Sequence, residues 1–368
     1  MVKILILTNS DVGLYNFRKE LIEKLVSENE VFISLPFGEY TSKLSELNCR
    51  LIDTPISRRG TNFIADFKLL MRYKKIFKEI KPDIILTYTI KPNVYGGIIS
   101  TITKTPYITN VTGMGSSIEN ESLIKKITLK LYKLALKKSS CVFFQNNANQ
   151  HFFQEHKIIK NKVRLIPGSG VNLEEHQYEK YPIDDKIIRF LYIGRIMKDK
   201  GIEELLEAAK VIKNNYDNVQ FELIGSMEEE YSRKIESLEK QNIIKYYGRQ
   251  KDVHSFIKKS HATILPSYHE GLSNVLLESA SSGRPVLASN VPGCLETFDE
   301  GVTGYGFEVR NVESLVAAIS KFIDIPYIQK EEMGYKGRLK VEKEFNRELV
   351  VNAYLDEIDR VTKVEKEI

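Results

Sequence analysis

Short β-rich apolar runs alternate with stretches of helical period along almost the whole chain. Strand-like runs are KILIL (3–7), VFISL (31–35), DIILT (83–87), PYITN (106–110) and CVFF (141–144). Helical stretches fall between them, at 15–27, 63–79 and 121–138. That alternation is the βαβ rhythm of a parallel, doubly wound sheet. At 163–185 the rhythm breaks. Pro167, Gly168, Gly170 and Pro182 stand there among many charges, which reads as an interdomain linker. The rhythm then restarts with RFLYIG (189–194), VQFELIG (219–225), IKYYG (244–248), ATILP (262–266) and PVLAS (285–289). Helices are expected at 202–214, 229–240, 251–259 and 273–282, with a helical end from 327 to 365. The pattern therefore predicts an α/β chain of two Rossmann-like domains.

A length of 368 residues is enough for two full cores. No apolar run approaches 18 residues, so no transmembrane helix is expected, and Ile4–Leu7 is too short for a signal segment. Cys49, Cys141 and Cys294 are scattered and odd in number, which suggests reduced, buried thiols in a cytoplasmic protein. The net charge of +5 hides an asymmetry. Residues 1–180 hold 27 Lys and Arg against 17 Asp and Glu, and the remainder 27 against 32. The first half is therefore expected to face something anionic, a membrane surface or a nucleic acid.

Parallel sheets bind ligands outside the carboxyl ends of their strands. The segments just after the strands are Asn9–Gly13, Gly113–Gly115, Gly194–Arg195 and Glu270–Gly271. In GRIMKDKG (194–201), Arg195 and Lys200 flank a turn that opens a helix, an arrangement suited to a diphosphate. It equally suits a solvated basic loop. In HEGLSNVLLE (269–278), Ser273 is a good helix cap, Glu270 stands in the loop and Glu278 two turns along the helix. Each carboxylate could accept from a pair of vicinal hydroxyls, as sugars offer, or could be a surface or ion-paired glutamate. NSDVG (9–13) lacks the Gly-x-Gly-x-x-Gly pattern of a nicotinamide dinucleotide site. His151, His156, His254 and His261 have no metal-ligand spacing, and no Asp-x-Asp occurs.

On a wheel of the helix 121–138, Lys126, Lys130, Lys133 and Lys137 fall in one stripe. Ile124, Ile127, Leu131, Leu134 and Ala135 form a separate, apolar side. The stripe could be a solvated face or a contact with an anionic leaflet. Arg58, Arg59 and the run Lys68, Arg72, Lys74, Lys75, Lys78, Lys81 lie in the same basic half. No hydrophobic anchor is expected, so attachment through these charges would be stripped by high salt. Nucleic acid is disfavoured, because no aromatic-basic stacking motif accompanies the lysines.

The ordered set of Gly194-Arg195…Lys200-Gly201, Glu270-Gly-x-x-Asn-x-x-x-Glu278 and Gly-Arg-Pro-Val (283–286) resembles the retaining glycosyltransferases of family 4. The similar branch builds capsules, O-antigens and protein glycans on a lipid carrier. GLYNFR (13–18), SRRG (57–60), KPNVYG (91–96), VTGMG (111–115), FFQN (143–146), IPGSGV (166–171) and NVPGCLE (290–296) extend the likeness over nearly the whole chain.

The resemblance implies a GT-B fold, with two Rossmann-like domains whose sheets face across a cleft. The domains would be 1–168 for the acceptor and 169–345 for the donor, with 346–368 a helix crossing back to the first. It implies transfer of a hexose or N-acetylhexosamine from a nucleotide diphosphate sugar, expected to be UDP-linked, to a polyprenyl-diphosphate-linked sugar. Arg195 and Lys200 would grip the diphosphate, Glu270 would contact the transferred sugar and Glu278 the ribose. Gly194, Gly271, Leu272, Ser273 and Asn274 would complete the donor site, with Gly13 approaching from the first domain. Arg58, Arg59, Lys91, Gly113, Gly115 and the four-lysine stripe would face the acceptor or the membrane. No cofactor or metal is expected, and the place would be the inner face of the cell membrane. An alternative on the same scaffold is a nucleotide-sugar epimerase, or a sugar-nucleotide binder without catalysis. One departure is Tyr88, where many relatives carry a histidine.

Overall fold

The computed structural model describes residues 1–57, 62–113 and 123–364. The chain divides into two units, Met1–Ser169 with Glu348–Ile368, and Gly170–Arg347. Each is a parallel sheet covered by helices on both faces.

The first sheet has the strands β1 (Lys3–Leu7), β2 (Glu30–Leu35), β3 (Arg50–Asp53), β4 (Ile84–Tyr88), β5 (Tyr107–Val111), β6 (Cys141–Phe144) and β7 (Val163–Leu165). Their spatial order is 3-2-1-4-5-6-7, and every pairing is parallel. Alternation along β1 sorts its side chains. Ile4 and Ile6 enter the core shared with the helix Asp11–Val26 and with Val350, Tyr354 and Ile358 of the helix Arg347–Val364. Leu5 and Leu7 enter the opposite core, against Leu69, Tyr73 and Phe77 of the helix Phe63–Ile80. The last helix thus buries its apolar face in the first unit. All three cysteines are buried and free.

The second sheet has β8 (Ile188–Ile193), β9 (Val219–Ile224), β10 (Ile244–Tyr246), β11 (Ala262–Leu265), β12 (Val286–Ser289) and β13 (Gly304–Phe307). Their order is 10-9-8-11-12-13, again all parallel. Strand order reverses between β8 and β11, and between β1 and β4 in the first sheet. Those are the topological switch points, where loops leave in opposite directions and open a crevice.

Two expectations need correction. Residues 163–165 are not linker but β7, because Val163 to Leu165 pair with Val142 to Phe144 of β6. The helix Leu123–Ala135 buries only part of the apolar side drawn on the wheel, Ala135 fully and Leu131 partly. Tyr132, Ala135 and Leu136 are buried, whereas Ile127 and Leu134 are exposed beside Lys126, Lys130 and Lys133. Phe63, Ile64, Phe67 and Met71 stand exposed on the helix Phe63–Ile80. No described helix is long and apolar enough to cross a membrane.

Candidate functional site

At the second switch point the loop 194–201 follows β8 and the loop 266–273 follows β11. Gly201 has φ +68°, and a Cβ there would sit 2.0 Å from the Pro266 carbonyl oxygen. Only glycine lets the two loops approach so closely. The Tyr268 N–H donates to the Asp199 carbonyl at 3.0 Å and fixes the approach. A third loop closes on the second. Gly293, at φ +85°, lies where a Cβ would be 2.6 Å from the Glu270 carbonyl oxygen. The Ser273 N–H donates to the Gly293 carbonyl at 2.8 Å.

This packing brings Lys200 and Glu270 together. The Lys200 ammonium donates to Glu270 Oε1, and Ser267 Oγ donates to the same oxygen at 2.8 Å. Both charged side chains are largely buried, 20% and 16% exposed. Cys294 lies within electrostatic reach of both, and burial pushes its thiol well above the ordinary range. Arg195 is not part of this pair. Its side chain is half-exposed, with Nη1 3.9 Å from Glu228 Oε2, and its carbonyl accepts from the Tyr192 hydroxyl at 2.8 Å.

The helix Ile202–Asn215 starts at Gly201. Its first turn carries Glu203 and Glu204, which accept from the hydroxyls of Tyr231 and Tyr268. The positive end of this helix therefore has carboxylates of its own. Neutralising a bound anion falls to the cations more than to the helix dipole.

Ser273 caps the helix Asn274–Ser281 by accepting from the Leu276 N–H. Leu276, Leu277 and Ala280 enter the core, and Glu278 is left on the remaining face, 18% exposed. Burial pushes its carboxyl up to about 7; Arg347 opposes the rise and Glu175 adds to it. His176 Nε2 is 4.0 Å from Glu278 Oε1. Burial, with His254 and Arg347, drives His176 down to about 4, so it is neutral at pH 7. The contact is thus not an ion pair at that pH. Asn274 Oδ1 is buried and has no hydrogen-bond partner among the described residues. An unmet acceptor in the first turn of this helix is where a ligand donor or a water would be held. The fully buried Arg284 secures the end of the helix. It donates to the carbonyls of Glu179, Lys180, Ile257 and Lys258.

His176 escaped the reading of the sequence. It stands in the stretch taken for linker, with no motif of its own. Ser267, three residues before Glu270, likewise drew no role.

In the first unit, Gly13 lies in the first turn of its helix. Its N–H is taken up by Ser10 Oγ at 3.0 Å. Lys91 is held by Asp66 at 2.7 Å and mostly buried. Gly113 ends the described stretch after β5, at φ +150°. Arg58, Arg59 and Gly115 lie outside the described residues. Tyr88 is buried. The Arg18 guanidinium stands 5.3 Å from its ring centroid and 5.7 Å from that of Tyr354, which accepts from Asn110 Nδ2 at 2.6 Å. Tyr88 therefore joins an internal cluster with Tyr354 of the last helix, the two ring centroids 6.0 Å apart.

Residues 174–340 match the model of glycosyl transferases group 1, and residues 3–146 that of the glycosyl transferase 4-like domain. A Campylobacter jejuni N,N'-diacetylbacillosaminyl-diphospho-undecaprenol alpha-1,3-N-acetylgalactosaminyltransferase is 26% identical over 98% of this chain and 100% of its own. An Escherichia coli UDP-Gal:alpha-D-GlcNAc-diphosphoundecaprenol alpha-1,3-galactosyltransferase is 27% identical over 78% of each. Among solved structures, a Rickettsia africae glycosyltransferase superposes with TM-score 0.78 at 19% identity, covering 98% of this chain and 99% of its own. Anabaena HepE, solved with UDP and glucose, gives 0.77 at 17%, covering 97% and 99%. The fold is the GT-B arrangement of two Rossmann-like domains, and the chain belongs to the glycosyltransferases, its first half to the 4-like domain and its second to group 1.

Proposed function

We propose that this chain is a retaining glycosyltransferase that moves a hexose or N-acetylhexosamine from a nucleotide diphosphate sugar to a lipid-diphosphate-linked sugar. UDP is the expected carrier. The observation that carries the reading is the Lys200–Glu270 pair at the switch point of the second sheet, on the loops that lead into the helices Ile202–Asn215 and Asn274–Ser281. The names of the Campylobacter and Escherichia relatives support the acceptor class.

Breaking the bond between the anomeric carbon and the phosphate builds positive charge on the sugar and negative charge on the departing diphosphate. Lys200, with Arg195 on the same loop, stabilises the departing charge. Glu270 holds hydroxyls of the transferred sugar and keeps the Lys200 ammonium aimed into the site. Retention follows from attack on the face the diphosphate leaves, with a leaving phosphate oxygen taking the acceptor's proton. No protein base is assigned.

The test is incubation with a panel of labelled nucleotide sugars and a lipid-diphosphate-sugar acceptor. Transfer with the donor's anomeric configuration kept is the expected result. Release of an altered nucleotide sugar without acceptor would instead mark an epimerase. Turnover is expected to survive excess EDTA, since side-chain cations do the neutralising. Loss with EDTA, restored by Mg²⁺ or Mn²⁺, would remove that role from Lys200 and Arg195.

Glu278 sets a pH dependence. Two ribose hydroxyls donate to a carboxylate better than to a carboxylic acid, so nucleotide binding favours the charged form. With the carboxyl at about 7 in the free protein, UDP affinity falls as the pH drops through 7. The Glu278→Gln variant binds more weakly at pH 8 and lacks this component. The nucleotide's own ionisation is common to both proteins, so the wild-type-to-variant ratio of Kd isolates Glu278. Calorimetry from pH 6 to 8 checks it, and a ratio constant across that range would take the ribose role away from Glu278.

A further inference from the structure

The helix Phe63–Ile80 has two apolar faces. One, with Leu69, Tyr73, Ile76 and Phe77, enters the core. On the other, Phe63, Ile64, Phe67 and Met71 are exposed by 75%, 71%, 63% and 46%. At 100° per residue these four fall within one 100° arc. The same arc continues along the helix as exposed Lys74 and Lys78, and Lys68 and Lys75 border it. The outer face is thus apolar at its N-terminal half and cationic beyond.

That apolar half has a defined place in the unit. Asp66 holds Lys91, which stands just past the carboxyl end of β4, and Arg72 donates to the carbonyl of Asp53 at the end of β3. It therefore lies beside the carboxyl edge of the sheet, where substrates of parallel sheets bind. The helix Leu123–Ala135 packs on the same face of the sheet, through Tyr132 and Leu136. It exposes Lys126, Lys130 and Lys133 with Ile127 and Leu134.

We propose that Phe63, Ile64, Phe67 and Met71 form a wedge that inserts into the headgroup boundary of an anionic bilayer, anchored around by the neighbouring lysines. The inference deepens the reading of the acceptor as lipid-linked and rests on it. Large apolar side chains bordered by long cationic ones are the signature of an interfacial helix. A second copy of the chain is a poorer occupant. It would set two strongly basic halves against each other, and like charge at a shared face costs affinity. A lipid-diphosphate acceptor keeps its tail in the bilayer and its sugar at the surface. A wedge at the carboxyl edge of the sheet brings that edge to the same depth.

The consequence separates this proposal from attachment by charge alone. Charges exposed to solvent are screened within about 3 Å at 1 M salt, whereas apolar insertion is not weakened. Wild-type protein should co-sediment with vesicles of phosphatidylglycerol and phosphatidylethanolamine at 0.15 M NaCl and keep most of that binding at 1 M. The Phe63→Ser/Ile64→Ser/Phe67→Ser variant should lose about a hundredfold in partitioning at 1 M, since three buried apolar side chains are removed. The Lys126→Gln/Lys130→Gln/Lys133→Gln/Lys137→Gln variant should lose binding mainly at low salt. Complete release of wild type at 1 M, or equal partitioning of the serine variant, would overturn the wedge. Lipid-free sedimentation velocity showing a dimer that the serine variant dissolves would give the face to a second copy instead. The substituted side chains are outside the core, and an unchanged thermal midpoint confirms that folding is intact. Transfer to a water-soluble short-chain acceptor is measured beside these arms. Failure there with wild type would sink the functional reading, while the vesicle results would still decide the wedge.

Discussion

Lys200→Ala lowers kcat/KM by roughly two orders of magnitude, the scale for a preorganised charge at a leaving group. Two effects add. The ammonium no longer meets the departing diphosphate. Glu270, 16% exposed, also loses its counter-charge and keeps only the Ser267 hydroxyl among the partners of Oε1. An uncompensated carboxylate beside a diphosphate repels it, and truncating one partner of a buried pair costs more than the pair itself is worth. The double variant Lys200→Ala/Glu270→Gln should therefore recover part of the loss. Glu270→Ala alone lowers kcat more than it raises KM, because its partner is the reacting sugar. Arg195→Ala loses about tenfold at most, since its half-exposed side chain is hydrated and already near Glu228. Steady-state kinetics on the four proteins check the order. Lys200→Ala within threefold of wild type would return the pair to a structural role.

The two-sheet plan was legible in the apolar runs because buried parallel strands are almost continuously apolar. The runs at 3–7 and 141–144 coincide with β1 and β6, and those at 219–225 and 262–266 overrun β9 and β11 by one residue. What escaped sits at sheet edges. β3 is RLID with both ends exposed, β7 is VRL, and β13 is GYGF. Edge strands are covered on fewer sides, so their sequences need little apolar content. β13 also depends on a contact no sequence prints, since a Cβ on Gly304 would lie 2.0 Å from the Val286 carbonyl oxygen.

The candidate site was legible as residue types but not as pairings. Glu270 and Lys200 were both named from spacing, yet the sequence paired Lys200 with Arg195. The tertiary approach of two loops joined Lys200 to Glu270 instead. His176 and the elevated carboxyl of Glu278 were invisible, because both follow from burial by distant segments. The lysine helix went wrong for a simpler reason. The apolar side drawn on the wheel left out Tyr132 and Leu136, and these set the buried direction. That turned Ile127 and Leu134 outward beside the lysines.

Gly201→Ala disables the site without touching a charged group. Two glycines of the second unit share nearly the same backbone angle and differ in surroundings. Gly201, at φ +68°, would place a Cβ 2.0 Å from the Pro266 oxygen and 2.7 Å from the Pro266 carbonyl carbon. Gly248, at φ +66°, has nothing within 4 Å of such an atom. Both substitutions incur the left-handed penalty, about 1–2 kcal/mol. Only Gly201→Ala adds a backbone clash, worth about 1–3 kcal/mol more where the structure must shift to relieve it. The clash cannot be relieved by a side chain turning aside, because the obstructing atoms are main chain. The loops 194–201 and 266–273 must separate, which draws Lys200 from Glu270. Gly201→Ala should therefore lower the unfolding midpoint more than Gly248→Ala does, and reduce kcat/KM at least tenfold at a temperature where the protein stays folded. Gly248→Ala should keep near-wild-type kinetics despite its lower midpoint. Equal kinetics for the two variants would show that the close approach at Gly201 does not position Lys200. The charge pair would then owe its geometry to Ser267 and the Gly293 contact alone.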